Sequence, residues 1–268
     1  MRETISSTQN PKIKHLKKLD KFSERREKGL ILIEGLRETL LAYKAGYELQ
    51  QLFICQDILR PEDRDKIVEV SIELPKQHVF LLTQRVYEEV AYREGTEGVI
   101  ATAKPKQLSL ENLELPENPL VLVIEGVEKP GNLGAMLRTC DAAGVDAVII
   151  CDPKTDAYNP NVIRSSIGTV FTNQVAVCDT RDAIEYLHGK GITTYAAELN
   201  ATEYHFQKNF KKGTAIVVGT EATGLSDDWI FNATEKIKIP MLGKIDSLNV
   251  SVSAGILLFE AVRQRQQN

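Results

Sequence analysis

The stretch that decides the fold covers residues 119–152, PLVLVIEGVEKPGNLGAMLRTCDAAGVDAVIICD. One apolar run lies near its start and a second near its end, and the residues between them have helical spacing. Leu133, Met136, Leu137 and Cys140 fall on one face of that helix. Nearly continuous apolar strands joined by a helix are typical of parallel sheets that are buried on both faces. The stretch therefore predicts a β-α-β unit.

The same alternation continues to the end of the chain. Four further apolar runs predict strands, and they read NQVAVCD, TTYAAEL, TAIVVGTE and EKIKIP. A helical pattern, TRDAIEYLHGKG, separates the first two of these runs, and a last helix is predicted to begin near Asn249. Residues 119–268 are therefore predicted to form a mostly parallel α/β sheet with helices on both faces.

A smaller α/β domain is predicted for residues 1–105. Its strand-like runs read GLILIEG, LQQLFIC, HVFLLT and EGVIATAK, with helical patterns between them. The segment at residues 106–118 and its immediate neighbours are rich in prolines and polar residues and show little periodicity. This composition predicts a linker between two domains.

The composition narrows the class of protein. The chain has 268 residues, 43% hydrophobic and 26% charged, with a formal net charge of −4, which is typical of a soluble globular protein. No apolar run approaches the length of a membrane span or of a signal core, so a cytoplasmic protein without a membrane segment is predicted. The four cysteines have no metal-binding spacing and no cysteine shares such spacing with a histidine, so no metal site is predicted.

Residues 1–30 are strongly basic, with nine Lys or Arg and four Asp or Glu, although the whole chain is acidic. Asn10 and Pro11 favour a helix start. On that helix Lys14, Lys17, Lys18 and Lys21 form a stripe about 100° wide. The stripe is interpreted either as an RNA-binding surface that contacts phosphates or as an ordinary solvated helix face.

Three polar segments follow predicted strands in the second half of the chain. The first contains Asn132, a candidate helix cap, and Arg138; the second contains Gly219 and Glu221; the third contains Ser247 and Asn249. In open α/β sheets ligands bind at the carboxyl ends of the strands, so the three segments predict one crevice. Taken singly, these residues are also explained by a solvated arginine, a turn carboxylate and plain helix capping.

Other chemistries find no support in the motifs. There is no GxGxxG after a strand and no GxxxxGK[ST], so neither an ordinary dinucleotide site nor a P-loop is predicted. The four histidines all lie outside the three segments, which argues against a histidine-based nucleophilic triad.

Taken together, the three segments resemble the motifs of the SpoU (TrmH) branch of the SPOUT RNA methyltransferases. The matching stretches read NLGAMLRTCDAAG, IVVGTEATGLS and IPMLGKIDSLNVSVSAGILLFEAVRQR, in the family's order and spacing. The front end, ISSTQNPKIKHLKKL and GLILIEGLRETLLA, resembles the family's ribosomal-protein-like substrate-binding domain. The resemblance implies S-adenosylmethionine as the methyl donor and a ribose 2′-hydroxyl of RNA as the acceptor. It also implies a C-terminal trefoil knot and a homodimer.

The resemblance also implies roles for individual residues. Those implied to contact the cofactor, largely through backbone atoms, are Gly219, Ile239 and Leu248. Those implied to surround the reacting ribose as catalytic residues are Asn132, Arg138, Glu221, Ser247 and Asn249. The second motif departs from many relatives, because Ala222 and Thr223 stand where those relatives have another glycine.

Ribosomal RNA is the predicted substrate, because an added N-terminal domain favours it over tRNA. Two alternatives stay open. One is a non-catalytic RNA-binding paralogue, and the other is a SPOUT methyltransferase that acts on a base or on tRNA. The motif Ser-Leu-Asn-Val-Ser at residues 247–251 favours ribose as the acceptor.

Overall fold

The computed structural model describes residues 3–92, 97–220 and 223–266. The chain forms two compact units. The first consists of Met1–Lys106 with Asp156–Thr172, and the second of Gln107–Thr155 with Asn173–Asn268. The division differs from the predicted boundaries in two places. Residues 107–118, predicted as a linker, belong to the second unit, and residues 156–172, predicted as part of the second domain, belong to the first unit.

The first unit is built on a mixed sheet. In chain order its elements from the N-terminal segment are β1 (Glu3–Ile5), α1 (Pro11–Lys18), α2 (Phe22–Lys28), β2 (Ile31–Glu34), α3 (Leu36–Lys44), β3 (Leu49–Ile54), α4 (Arg64–Glu73), β4 (Val79–Leu82), α5 (Gln84–Val90) and β5 (Val99–Ala103). The strand order is β1-β4-β3-β5-β2, in which β5 runs antiparallel to both of its neighbours. Ile13, Leu16 and Leu19 pack with Phe53 and Phe80 in its core.

The second unit is built on a parallel sheet. Its elements are β6 (Leu120–Glu125), α6 (Pro130–Ala143), β7 (Ala147–Cys151), β8 (Val175–Cys178), α8 (Thr180–Gly189), β9 (Thr193–Ala197), β10 (Thr214–Val218), α9 (Asp227–Asn232), β11 (Glu235–Ile237) and α10 (Val250–Gln266). Between β7 and β8 the chain contributes α7 (Pro160–Ser165) to the first unit.

All six strands of the second sheet run in the same direction, in the order β11-β9-β10-β6-β7-β8. Val121 and Val123 pack in one core cluster with Leu187 of α8 and Trp229 of α9. Leu122 lies between them and points to the other face, where α10 packs on β6 and β10. The predicted α/β fold with helices on both faces of a parallel sheet is confirmed, and all its carboxyl strand ends meet at one edge.

The segment predicted as a linker packs against the second unit. Leu110 and Leu113 are buried in its core, and the carbonyl of Leu108 accepts a hydrogen bond from the backbone N–H of Val177 at 3.0 Å. The apolar residues at 108, 110 and 113 have no regular period, so their burial could not be predicted from a helical or strand pattern.

Residues 156–172 pack within the first unit, although they lie inside the predicted domain 119–268. The Arg25 guanidinium, only 4% exposed, forms an ion pair with Asp156 at 2.7 Å. The Tyr158 hydroxyl contacts that of Tyr47 at 3.0 Å. A segment distant in sequence therefore completes the core of the first unit.

One helix start and one helix end differ from the prediction. Helix α6 begins at Pro130 with Lys129 as its N-cap, so Asn132 lies in the first turn and is not the cap. Pro130 fits the first helical position because it needs no backbone donor. Helix α1 ends at Lys18, and Lys21 is the N-cap of α2, so the lysine stripe extends past one helix onto the start of the next. Asn10 caps α1 as predicted.

Candidate active site

A cavity of about 500 Å³ lies at the carboxyl edge of the parallel sheet. It is enclosed by the segments that follow β9, β10 and β11 and by the start of α10. Most of its lining consists of backbone and small or apolar side chains. The charged side chains in the lining are those of Glu198, Lys238 and Asp246.

All three residues that the resemblance assigns to the cofactor line this cavity. They come from separate segments: Gly219 follows β10, while Ile239 and Leu248 lie on the long segment after β11. Ser247 lines the same cavity. The three-dimensional structure thus brings together residues that are up to about thirty positions apart in sequence.

The loop after β10 is folded tightly on itself. Thr220 and Gly224 exchange backbone hydrogen bonds of 3.0 and 3.1 Å, and the Thr220 hydroxyl accepts the N–H of Thr223 at 3.0 Å. A Cβ at Gly219 would come within 2.3 Å of the Gly224 carbonyl oxygen. Only a glycine fits at position 219, because the backbone on the other side of the turn occupies that space. Glu221, a predicted catalytic residue, lies outside the described residues.

A second cavity of about 320 Å³ adjoins the first, and Gly219, Thr220 and Val250 line both. Asn132 lines the second cavity from the first turn of α6. Its Oδ1 accepts a hydrogen bond of 3.3 Å from Nδ2 of Asn249. Two residues from the first and third motifs are therefore in direct contact, 117 positions apart.

Asn249 also caps the last helix. Its Oδ1 accepts the backbone N–H of Ser251 at 3.0 Å and the Ser251 hydroxyl at 2.5 Å. This is the expected geometry of an asparagine N-cap. The capping bonds fix the side chain so that its amide nitrogen points to Asn132.

Arg138 is placed differently from the other predicted site residues. It is exposed on the third turn of α6 and lines neither cavity. An exposed guanidinium at this position is accessible to the phosphates of a bound nucleic acid. The structure therefore does not bring Arg138 together with Asn132 and Asn249.

The segment Ala197–Asn200 also lines the larger cavity, and the motifs gave no indication of it. It follows β9, so the rule that ligands bind at the carboxyl ends of parallel strands would have identified it. Glu198 is the residue of interest there, because its carboxylate is available to a positively charged ligand group. Lys238 and Asp246 also line this cavity, and the sequence analysis assigned no role to either. Both follow β11, so the same rule on strand ends would have pointed to them.

The described histidines and cysteines do not line the two cavities. The hydrogen bond that the Cys151 thiol donates to Cys178, together with burial, raises the pKa of Cys151, so this thiol stays protonated and unreactive. Within residues 3–92, 97–220 and 223–266, no group of three or more His, Cys, Asp or Glu side chains is placed to hold a metal ion.

The predicted RNA-binding lysines are all at the surface. Lys14, Lys17 and Lys18 project from α1, and Lys21 precedes α2. Lys17 forms an exposed ion pair with Glu89 at 2.5 Å. A surface pair of this kind stabilises little, so Lys17 stays available to another anion.

No described helix is long and apolar enough to cross a membrane.

The chain was compared with known families, curated proteins and solved structures. Residues 119–259 match the SpoU rRNA Methylase family, and residues 10–101 match the MRM3-like substrate binding domain. The 23S rRNA (guanosine-2′-O-)-methyltransferase RlmB of Vibrio vulnificus (strain CMCP6) is 36% identical over 80% of this chain and 90% of its own length.

Two solved structures resemble the whole chain. A crystal structure of an RNA 2′-O ribose methyltransferase has a TM-score of 0.85 and 37% identity, covering 98% of this chain and 99% of that one. An AdoMet-bound rRNA methyltransferase from Sinorhizobium meliloti has a TM-score of 0.88 and 25% identity, covering 97% of each chain. The family match extends over more than half of the sequence and includes the first two motifs and most of the third, so the chain belongs to the SpoU rRNA methylase family.

Proposed function

We propose that this protein transfers a methyl group from S-adenosylmethionine to a ribose 2′-hydroxyl of ribosomal RNA, in the cytoplasm. The observation that carries the proposal is the pair of adjoining cavities. The larger is lined by the three predicted cofactor residues, and the smaller is bordered by Asn132, which is hydrogen-bonded to Asn249. The RlmB relative and the two similar structures are named for the same class of reaction.

The larger cavity fits the proposed cofactor in size and in chemistry. About 500 Å³ is within the range of pockets that hold small-molecule ligands. Ile239 and Leu248 supply apolar surface for the adenosine. Glu198 and Asp246 suit the positively charged sulfonium and ammonium groups, and Lys238 suits the carboxylate. S-adenosylmethionine, when bound, supplies an activated methyl group.

The smaller cavity is the proposed place for the ribose. Asn132 and Asn249 hold each other in one orientation, so both amide groups are held in fixed positions beside the place proposed for the sugar. Fixed orientation matters here, because the attacking oxygen must approach in line with the bond that breaks. Gly219 and Thr220 form the boundary between the two cavities, where the reacting atoms would meet.

Arg138 and Glu221 are proposed to act on the bound RNA together with Ser247. An arginine stays protonated, so Arg138 is assigned the stabilisation of negative charge and the binding of an adjacent phosphate. Because Arg138 lines neither cavity, we propose that it reaches the substrate only when RNA is bound.

We propose that the first unit binds the RNA substrate through Lys14, Lys17, Lys18 and Lys21. Support comes from the exposure of all four side chains and from the match of residues 10–101 to a substrate-binding domain. Lysines that bind phosphates release counterions and make the affinity depend strongly on salt.

We propose further that the protein is a homodimer that associates through α10. Val252, Ile256 and Phe259 are 50%, 37% and 49% exposed and recur at helical spacing on one face. Exposed apolar side chains that form a contiguous stripe are typical of an interaction site. A second copy of the same chain suits it, because a twofold axis would pair the stripe with itself.

The experiment that tests the function is the identification of its product. Purified protein is incubated with methyl-labelled S-adenosylmethionine and, in parallel reactions, with ribosomal RNA or with tRNA, and each RNA is digested to nucleosides. We expect a 2′-O-methylnucleoside. Methylated base would favour a base-modifying enzyme, label in tRNA alone would favour a tRNA enzyme, and binding without transfer would favour a non-catalytic paralogue.

The same assay tests the proposed role of Arg138. Arg138→Ala should lower methyl transfer by about 100-fold or more, the usual scale for the loss of one charge-stabilising donor. S-adenosylmethionine affinity should stay within a few-fold, because Arg138 lines neither cavity. Unchanged turnover in this variant would remove Arg138 from the catalytic assignment.

A further inference from the structure

We propose that Glu125 is a positioning residue, which holds the loop after β10 in the shape that receives the cofactor. The inference rests on the proposed function of the larger cavity and adds a residue outside all three motif matches. Glu125 lines neither cavity, so any effect on cofactor binding must pass through the loop.

Glu125 is the last residue of β6, and only 6% of it is exposed. Its Oε1 accepts hydrogen bonds from the Ser226 hydroxyl at 2.6 Å and from the Thr180 hydroxyl at 3.0 Å. Its Oε2 accepts the backbone N–H of Ser226 at 2.7 Å. Three donors from two different segments thus converge on one buried carboxylate.

This carboxylate has no cationic partner among the described residues. A buried charge is costly unless hydrogen bonds replace its hydration, so the three neutral donors are what make the burial possible. The bonds are charge-assisted and therefore stronger than ordinary hydrogen bonds. Two of the three come from Ser226, which is thereby held more firmly than an ordinary loop residue.

Ser226 ends the loop that encloses the cavity. Gly219, Thr220, Thr223, Gly224 and Leu225 all line the cavity, and Ser226 is the next residue along the chain. At its other end the loop is held by the pairing of β10 with β6. Glu125 therefore fixes the one end of the loop that the sheet does not fix.

A purely structural reading is that Ser226 serves as the N-cap of α9. It occupies the N-cap position, but it makes no capping hydrogen bond through its side chain. Its hydroxyl donates to Glu125 instead. The side chain that would normally stabilise the helix start is thus used to attach the loop to the end of β6.

The end of β6 and the loop are also in close contact. Gly126 follows Glu125 with φ of +63°, and a Cβ at this position would come within 2.9 Å of the Thr220 methyl carbon. Thr220 lines both cavities. A shift of the loop relative to β6 would therefore alter both cavities together.

The test uses two substitutions that each remove one hydroxyl donor from the same Oε1 of Glu125. Ser226→Ala removes the donor that belongs to the cavity loop. Thr180→Val removes the donor at the start of α8, which lines neither cavity. We expect Ser226→Ala to raise the dissociation constant for S-adenosylmethionine about fivefold by calorimetry, and Thr180→Val to leave it within twofold.

Two substitutions of Glu125 complete the test. Glu125→Ala should raise that dissociation constant about tenfold or more, with kcat at saturating cofactor within about threefold, because Glu125 does not touch the reacting atoms. Glu125→Gln should recover most of the affinity, since its amide can still bond Ser226 and both hydroxyls can reverse their roles. Thermal unfolding establishes that each variant is folded at the assay temperature.

Equal cofactor affinity in folded Glu125→Ala and wild type would overturn the inference, and so would equal weakening by Ser226→Ala and Thr180→Val. Should Glu125→Ala fail to fold, the Ser226 and Thr180 variants decide alone. The proposed function is tested separately by the wild type: absence of cofactor binding or of a 2′-O-methyl product would contradict the function itself, whatever the variants show.

Discussion

Asn249 shows how one side chain serves both folding and the proposed site. Its Oδ1 caps α10 through Ser251, while its Nδ2 donates to Asn132, which lines the smaller cavity. From the sequence alone, plain capping and participation in a site were alternative interpretations of this residue. The structure shows capping and contact with a second motif residue at once, because the two ends of an amide have different hydrogen-bonding roles.

A substitution on the long segment after β11 tests where the cofactor binds. Leu248→Glu places a carboxylate where apolar surface is proposed to receive the adenosine, and we expect at least a tenfold weaker affinity for S-adenosylmethionine by calorimetry. Leu242→Glu is the matched control, because Leu242 is 97% exposed on the same segment and does not line the cavity. Equal effects of the two substitutions would contradict the assigned cofactor position.

Glu38 in the first unit should make stability depend on pH. Burial raises the pKa of its carboxyl to about 7, while its own backbone N–H opposes this and the nearby Glu97 adds to it. Between the unfolded pKa near 4.5 and the folded pKa near 7 the folded state binds the proton more tightly, so stability falls as the pH rises.

Replacing Glu38 should remove this pH dependence. From pH 5 to pH 8, the ionisation of Glu38 should lower the free energy of unfolding of wild type by about 2 to 3 kcal/mol, since one pKa unit corresponds to about 1.4 kcal/mol. Glu38→Gln should not show this loss. Urea unfolding at the two pH values measures the difference. A variant with the same pH dependence as wild type would mean that Glu38 ionises normally in the folded protein.

At the scale of elements, α1 is short and amphipathic, and it presents its lysines opposite the core. Ile13 and Leu16 are buried, whereas Lys14, Lys17 and Lys18 are exposed. The period of 3.6 residues that separates these two sets is visible in the sequence. What the sequence did not reveal is that the helix ends at Lys18 and that Lys21 starts the next one.

Replacing the four lysines tests the proposed RNA-binding surface. We expect the replacement of Lys14, Lys17, Lys18 and Lys21 by Gln to weaken RNA binding. The slope of the logarithm of affinity against the logarithm of salt concentration should flatten by about one unit for each lost phosphate contact. Cofactor affinity should not change. Filter binding at several salt concentrations measures both the affinity and the slope.

The control removes the same number of positive charges from other exposed positions of the first unit. Its four replacements by Gln are at Lys44, Lys66, Lys76 and Lys104. It should leave the slope nearly unchanged. An equal loss in the two sets would mean that overall charge attracts the RNA, and unchanged binding in the first set would make the stripe an ordinary solvated face.

The last turn of α10 is held by Arg265. Its guanidinium donates to the carbonyl oxygens of Asn118, Pro119, Phe210 and Lys212, at distances from 2.7 to 3.0 Å. Burial lowers the pKa of Arg265, but an arginine remains charged at neutral pH. The helix end and two loops are therefore joined by one planar side chain.

Arg265→Lys should lower the free energy of unfolding by about 2 kcal/mol, because a single ammonium cannot reach four carbonyls from one position. Arg263→Lys is the control on the same helix turn. Arg263 is exposed and forms a surface ion pair with Glu260, so its replacement should shift the unfolding midpoint little. Similar shifts for the two variants would contradict the role given to Arg265.

At the scale of the whole molecule, the chain does not divide as one cut between two domains. Residues 156–172 leave the second unit between β7 and β8 and complete the first, where Asp156 pairs with buried Arg25. A fragment that ends at Lys106 would therefore lack the partner of a buried guanidinium. The match of residues 10–101 to a separate substrate-binding domain does not reveal this dependence.

The proposed homodimer is tested by charge on the apolar stripe of α10. Ile256→Glu together with Phe259→Glu should shift the protein from dimer to monomer in sedimentation equilibrium, because like charges would meet across a twofold axis. Ile72→Glu, at a position 71% exposed on α4, is the control and should leave the dimer intact. A monomeric wild type would contradict the proposal directly.

The sequence by itself determined the fold class of each unit and the family. Strands such as β6 and β10 are continuous apolar runs, and the apolar residues Ala254, Leu257, Leu258 and Ala261 of α10 recur at helical spacing, so local sequence patterns were sufficient to place these elements. Shorter or less regular elements escaped prediction, among them β1, α2, α7 and α9. Strand β1 and helix α2 contain one apolar side chain each, and the six-residue helices α7 and α9 make fewer than two turns, so neither an apolar run nor a helical stripe marks any of them.

Only the tertiary structure decided how the predicted residues are arranged. It placed Gly219, Ile239 and Leu248 around one cavity, and it left Arg138 exposed outside both cavities. It also joined Glu125 to Ser226 across 101 positions. Distances between residues far apart in sequence depend on how strands order themselves in the sheet and how loops pack, and local patterns contain no information about either.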